Sequence, residues 1–306
     1  MLFARIQQKE VGKDLENLLD NNILRNCDED TIRSLNGCRV TDMILHLVPS
    51  KENFELTLRC IKLWAKNRGV YGNVFGYFGG VAWAMLVAKV CMLHPRMAPN
   101  RLLETFFVYF RDYPWGSQHP VTLCDIANDP KLVPFDIPMS LLYEPSPKEK
   151  MPIITPAFPS MNSTFNVSES TKNIILTELE KGALITQAIL KENSTVSWKR
   201  LFKKFNFFSA YQHFLMVQII SRKDEFHKKW LGFAEAKIKN MVKRLEMLDS
   251  LINNRVNYVL EIRPYPRSYD NIKSEAIPEF ESQDIYFIGI RVRKGVEIKK
   301  ENIDLT

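Results

Sequence analysis

The first strong rhythm in the chain is helical. Phe54, Leu58, Ile61 and Ala65 recur at i, i+4, i+7 and i+11 and predict one buried stripe, with Arg59, Lys62 and Lys66 gathered on another face. The rhythm then breaks. Gly69, Gly72, Gly76, Gly79 and Gly80 fall close together among Tyr71, Asn73, Phe75, Tyr77 and Phe78, in a chain with only 12 glycines. From Val81 a helix resumes through Trp83, Leu86, Val87 and Val90 and stops at Pro95, which lacks a backbone donor. Helix, glycine-aromatic loop, helix lets backbone approach a ligand closely and predicts a nucleotide pocket. The same pattern fits close helix packing with the aromatics as core, and on pattern alone the two readings stand level.

The remaining pattern is helical through the middle and mixed at the end. Leu102 to Phe110 predicts a further helix whose rings, Phe106, Phe107, Tyr109 and Phe110, are core. Ten of the 16 prolines lie between Pro114 and Pro159 and predict an ordered but irregular connector. Ser170 reads as the N-cap of a helix from Thr171 to Leu190, with Ile174, Ile175, Leu179 and Ile185 as its stripe. Ser34 to Val48 is a mixed apolar segment with polar Asn36, Arg39 and Asp42, ended by Pro49. In the last third, Tyr211–Ile220, Tyr258–Ile262 and Ile285–Val292 predict strands around a long helix from Glu225 to Leu248, hence a small α/β sandwich. Met1 to Ile6 reads as a lone opening strand, and Val11 to Leu24 as weakly helical. A strand without a neighbour predicts a sheet whose other strands lie elsewhere. The expected class is α+β.

Charge sharpens this picture. The net charge is +7, but Trp198 to Arg244 holds twelve Lys or Arg against three acids, a local net of +9. The other 30 basic and 32 acidic residues come to −2, so a polyanion should bind this one segment. No apolar run is long enough to cross a bilayer and no signal-like core opens the chain, so an intracellular protein is expected. Five cysteines without C-x-x-C spacing argue against a disulfide framework or a zinc site and predict reduced, mostly buried thiols. The five histidines are scattered, and neither standard phosphate-loop motif occurs.

Three dense runs carry a resemblance. Ser34 to Asp42 (SLNGCRVTD), Ile61 to Lys66 (IKLWAK) and Tyr71 to Leu86 (YGNVFGYFGGVAWAML) resemble, in order, the central domain of eukaryotic nuclear poly(A) polymerases. The similarity extends through Met151–Pro159 and Asn162–Ser168 and more weakly to the end. It implies a nuclear, template-independent ATP:RNA adenylyltransferase using two Mg²⁺ or Mn²⁺ ions, whose partners are ATP, an RNA 3′ end and an mRNA 3′-end processing complex, with no DNA or membrane. For ATP it implies Lys62 at the triphosphate, Tyr71 at the triphosphate and ribose, Asn73 at the adenine edge, and Gly80 and Val81 closing on the nucleotide. Phe78 stands where the family has leucine or proline, a departure that bears on the pocket's shape. With the charge distribution, the resemblance assigns RNA to Lys199, Arg200, Lys228, Lys229, Lys239 and Lys243.

The same resemblance divides the chain into 1–33, the end of a nucleotidyltransferase domain whose sheet leaves the opening strand as a remnant; 34–195, the helical central domain; and 196–306, an RRM-like domain expected to be incomplete at its C-terminus. In the family the opening strand follows at once on the third metal-binding carboxylate, so the metal ligands are expected to lie outside this chain. Asp28-Glu29-Asp30 has D-x-D spacing but no preceding Gly-Ser, and is read as a solvated charged turn. Two readings follow: a polymerase, or a catalytically inactive RNA-binding or regulatory fragment of that family.

Overall fold

The computed structural model describes residues 4–7, 18–127, 129, 131, 133–221, 224–252, 259–270 and 282–292. The chain forms two compact units, each built from several stretches: Met1–Trp64, Phe78–Phe165 and Leu179–Leu201 in the first, and Ala65–Tyr77, Asn166–Glu178 and Phe202–Thr306 in the second.

The first unit is helical. It holds α1 (Glu29–Leu47), α3 (Gly80–Leu93), α4 (Pro99–Arg111) and parts of α2 (Lys51–Arg68) and α5 (Glu169–Ile189). Its centre is aromatic: Trp64 meets Phe107 edge-on at 4.8 Å and Trp83 at 5.7 Å, and Phe78 meets Trp83 at 4.9 Å. Phe106, Phe107 and Phe110 are fully buried as expected, and Pro99 opens α4 where its missing donor costs nothing. The connector after α4 is irregular, tied by bridges between Val121 and Ile153 and between Ile154 and Asn162. Its Val133, Ile137, Leu141 and Phe158 pack with Ile23, Leu24 and Ile32.

The segment Ser34–Val48 proves to be one continuous helix, α1, capped by Asp28, whose carboxylate accepts from Thr31 N at 2.7 Å. Its helical period was hidden because the inward face includes Arg39. That buried guanidinium donates to Leu18 O, Asp20 O, Asn21 Oδ1 and Phe158 O, so a charged side chain takes the place of an apolar one. The acidic run at Asp28 is therefore a helix start rather than a turn. Glu29 pairs with Arg33 one turn on.

The opening strand is not borne out. Met1–Phe3 lie outside the described residues, and Ala4–Ile6 form no strand. Arg5 gives its amide to Thr31 Oγ1 at 3.4 Å, and its carbonyl accepts from Cys27 Sγ at 3.5 Å, so side chains satisfy backbone groups that a sheet would pair. Of Val11–Leu24, the part before Leu18 lies outside the described residues, and Asn21–Leu24 is a 3₁₀ turn. The thiols are also less hidden than expected: Cys91 is buried, Cys27 and Cys60 are half-buried, and Cys38 and Cys124 are exposed.

The second unit carries the sheet. β1 (His213–Ser221), β2 (Val259–Pro264), β3 (Tyr269–Asp270) and β4 (Ser282–Val292) are all antiparallel; the order is β1-β4-β2, with β3 also pairing β4. Every strand pairs with β4, and β4 accordingly buries Asp284, Ile285, Tyr286 and Ile288. β3 has two residues, too short for any periodicity to announce it. After the one-turn helix α6 (Phe207–Ala210), the long helix α7 (Asp224–Ile252) packs on β1, β2 and β4 through residues such as Ile238 and Val242. The class is α+β.

Helix α5 begins at Glu169, one turn after Asn166, and its cap is Ser168 rather than Ser170. Ser168 Oγ accepts from Thr171 N at 3.4 Å while Thr171 Oγ1 accepts from Ser168 N at 2.9 Å, a reciprocal capping box. Glu246 of α7 adds a carboxylate that takes Ser170 N at 2.8 Å and Ser168 Oγ at 2.7 Å, negative charge at the positive end of the helix.

Candidate functional site

The glycine-aromatic loop is built from within the second unit as far as Tyr77. Gly72 sits at φ +135°, a backbone state that side chains disfavour, and a Cβ there would meet the Phe75 ring at 3.1 Å. Gly76 sits at φ +84°, and its Cβ would meet Thr171 Cγ2 at 3.2 Å. Between them Asn73–Phe75 makes one 3₁₀ turn. Phe75 packs at 5.7 Å from Tyr286, and the buried Tyr77 donates its hydroxyl to Pro264 O at 2.9 Å. Three of the loop's rings, Phe75, Tyr77 and Phe78, are thus core, as the packing reading of the sequence had it. Tyr71 and Asn73 are half-buried and stand out of that core.

Those two residues have specific neighbours. Lys66 Nζ, one helical turn before the loop, lies 5.2 Å over the Tyr71 ring. Asn73 accepts twice from Asn166 Nδ2, at its backbone carbonyl (3.2 Å) and at Oδ1 (3.3 Å). Asn166 Oδ1 in turn accepts from Lys239 Nζ at 2.9 Å. An ammonium is donor-only, so Lys239 fixes which end of Asn166 is oxygen, and Asn166 fixes which end of Asn73 is. The Nδ2 of Asn73 is the half of the amide left outside this relay. Burial, with Lys243 and Lys237 close by, lowers the Lys239 pKa from its ordinary value. Near Lys66 a cleft of about 250 Å³ opens, lined also by Asn67, Gly69, Lys204, Tyr265 and Arg267.

The other expected ATP residues belong to the first unit. Lys62 is half-buried on α2; Gly80 is the first residue of α3 and Val81 the second, 38% exposed. Gly79 precedes them with no side-chain cap, so the first amides of a 14-residue helix keep their partial positive charge.

Of the expected RNA residues, Lys199 and Arg200 are exposed on a 3₁₀ turn, Trp198–Arg200, in the first unit. Lys228, Lys229 and Lys243 are exposed on α7 in the second, whereas Lys239 is the half-buried partner of Asn166. Sequence reasoning singled out Asn166 only as part of a motif, because nothing local announces a partner 93 residues away.

Below the loop, buried Glu178 receives Arg68 Nε at 2.7 Å and lies 3.6 Å from Arg263 Nη1. Arg263 lies 3.8 Å from the Phe205 ring centroid and donates to Arg68 O at 2.6 Å. This ionic cluster ties the three chain stretches of the second unit together. On β4, Asp284 meets His227 Nε2 at 2.9 Å, and His227 Nδ1 meets Ser221 Oγ at 2.8 Å, so one of the scattered histidines is a buried polar anchor. Among the described residues no group of three or more His, Cys, Asp or Glu side chains could hold a metal ion. Asp28, the first residue of the D-x-D run, is committed to capping; its hydrogen bonds with Thr31 hold its carboxyl below the usual range.

Comparison with known proteins accounts for this assembly. Residues 53–204 match the poly(A) polymerase central domain, residues 1–48 the poly(A) polymerase nucleotidyltransferase domain, and residues 206–285 the poly(A) polymerase predicted RNA binding domain. The chain belongs to the poly(A) polymerase family. It is 37% identical over 292 residues to poly(A) polymerase of Dictyostelium discoideum, covering 95% of this chain and 34% of the relative. It is 38% identical over 302 residues to nuclear poly(A) polymerase 1 of Arabidopsis thaliana (97% and 39%), and 44% identical over 252 residues to poly(A) polymerase PAPalpha of Candida albicans (82% and 44%). The chain thus spans less than half the length of these relatives.

Proposed function

We propose that this chain is the nucleotide-holding and RNA-holding part of a nuclear poly(A) polymerase, an ATP:RNA adenylyltransferase that extends mRNA 3′ ends within a processing complex. The observation that carries the reading is the Asn73–Asn166–Lys239 relay, which presents one amide donor in a fixed sense. A donor set against N1 of adenine meets an acceptor; guanine offers an N–H there and is rejected. Lys239, assigned to RNA from its charge, takes on this reading the role of positioning Asn73. In the second unit Tyr71, as a ribose contact, joins Asn73; in the first, Lys62 offers a point charge and Gly80 backbone amides to phosphate oxygens, and Val81 an apolar side chain to a base. Lys199, Arg200, Lys228, Lys229 and Lys243 hold the RNA backbone. The family matches to residues 1–48, 53–204 and 206–285 support three domains in this order, for which we keep the bounds 1–33, 34–195 and 196–306, although the first match runs to residue 48.

In such polymerases divalent ions would supply the charge stabilisation that phosphoryl transfer needs. The described residues do not fit that pair of ions, for no ligand cluster is present among them, so binding and orientation are the steps assigned to this chain. Primer extension tests the proposal. This chain alone, and the chain fused behind a catalytic module of the family, are each given oligo(A), ATP and Mn²⁺. Extension by the fusion alone is expected; failure of the fusion would leave the alternative, a non-catalytic RNA-binding fragment.

A further inference from the structure

The outer face of α7 carries three exposed aromatic side chains: Phe226 (55% exposed), Trp230 (50%) and Phe233 (55%). They fall at i, i+4 and i+7 and therefore share one face. Trp230 and Phe233 lie ring over ring, with centroids 5.5 Å apart and planes 9° from parallel. Lys237, one turn further, holds its Nζ 5.2 Å over the Phe233 ring. Lys228 and Lys229 are exposed between Phe226 and Trp230.

Soluble proteins rarely leave three large rings in a row facing water, and such a patch marks an interaction surface. Its chemistry selects the partner. An apolar protein helix would bury the rings but meet the ammonium groups of Lys229 and Lys237 beside them. Single-stranded RNA offers a flat π-face on every base and a phosphate between bases, which matches parallel rings and flanking lysines together. We propose that Trp230 and Phe233 form a base-stacking platform for single-stranded RNA, with Phe226 prolonging it and Lys229 and Lys237 meeting the phosphates. The proposal rests on the RNA-binding reading above and adds a contact to bases that the charged residues do not supply.

The test uses the full chain and two labelled 15-mers, oligo(A) and an abasic ribose-phosphate strand of the same charge, titrated at low salt. Base stacking contributes about 1–3 kcal/mol per base, so W230A/F233A should bind oligo(A) roughly tenfold or more weakly. Its affinity for the abasic strand and the salt slope for oligo(A) should stay within about twofold of wild type, because no charge is removed. W230F should retain most of the oligo(A) affinity, since it keeps a ring. Equal loss on both strands, or no loss on either, overturns the platform and, in the second case, gives the face to a protein partner. Failure of the unaltered chain to bind either strand overturns the RNA reading itself, a separate outcome.

Discussion

Asn166 gives its side-chain amide to Oδ1 of Asn73 at 3.3 Å, and the two residues are 93 positions apart. Because Lys239 holds the oxygen of Asn166, removing either partner should let the Asn73 amide turn over. We expect Asn166→Ala and Lys239→Met to lower the preference for ATP over GTP by roughly tenfold, the worth of about one oriented hydrogen bond. Competition of GTP against bound ATP measures the ratio. An unchanged ratio in both variants would show that Asn73 does not read the base through this relay.

The buried carboxylate of Glu178 faces two arginines, so its removal leaves cations without compensation. Breaking a buried pair costs about 3–5 kcal/mol. Glu178→Ala should shift the urea midpoint downward by a corresponding amount, and Arg68→Ala by less, since Arg263 would still face the carboxylate. A variant as stable as wild type would remove the cluster from the forces that hold the second unit.

Alkaline stability follows from the tyrosines. Burial pushes the phenols of Tyr77, Tyr211 and Tyr286 well up, and hydrogen bonds to Glu261 and Glu235 add to it for the last two. With the folded pKa above the unfolded value of about 10, the neutral phenol stabilises the fold fully below pH 10, and that stability is lost as pH rises through the raised values. Thermal midpoints measured between pH 9 and 12 should fall steeply above pH 10. Tyr77→Phe should flatten that fall while lowering stability at pH 7 by about 1–3 kcal/mol, because Pro264 O loses its donor.

Gly182 of α5 shows a packing limit in the first unit. A Cβ there would sit 2.4 Å from Phe107, a fully buried ring. Alanine gains about 1 kcal/mol of helix propensity over glycine, but overpacking a core costs about 1–3 kcal/mol. Gly182→Ala should therefore be neutral to destabilising, and a clear gain in melting temperature would contradict the close contact.

Neutralising Lys228 and Lys229 to Gln should weaken RNA binding without changing base preference. Each phosphate contact removed should lessen the slope of log K against log salt by about 0.7 for a single strand, so the pair by about 1.4. An unaltered slope would place the RNA backbone elsewhere.

How much the sequence determined differs by element. The stripe of Phe54, Ile61 and Ala65, the rings of α4 and the basic excess of Trp198–Arg244 were legible because periodicity and charge are local properties. The family was legible too, since its motifs are dense short runs. What could not be read were groups satisfied by distant residues. Arg39 hid α1 because a buried arginine looks polar until its four acceptors are known. β3 exists because β4 offers it a neighbour, and the Trp230–Phe233 stack because α7 turns that face away from the sheet. Sequence alone thus determined the helices with an apolar stripe, three of the four described strands and where the charge lies. Only tertiary structure decided which end of the Asn73 amide is presented, because that sense is set by a hydrogen-bond chain whose members meet only after folding.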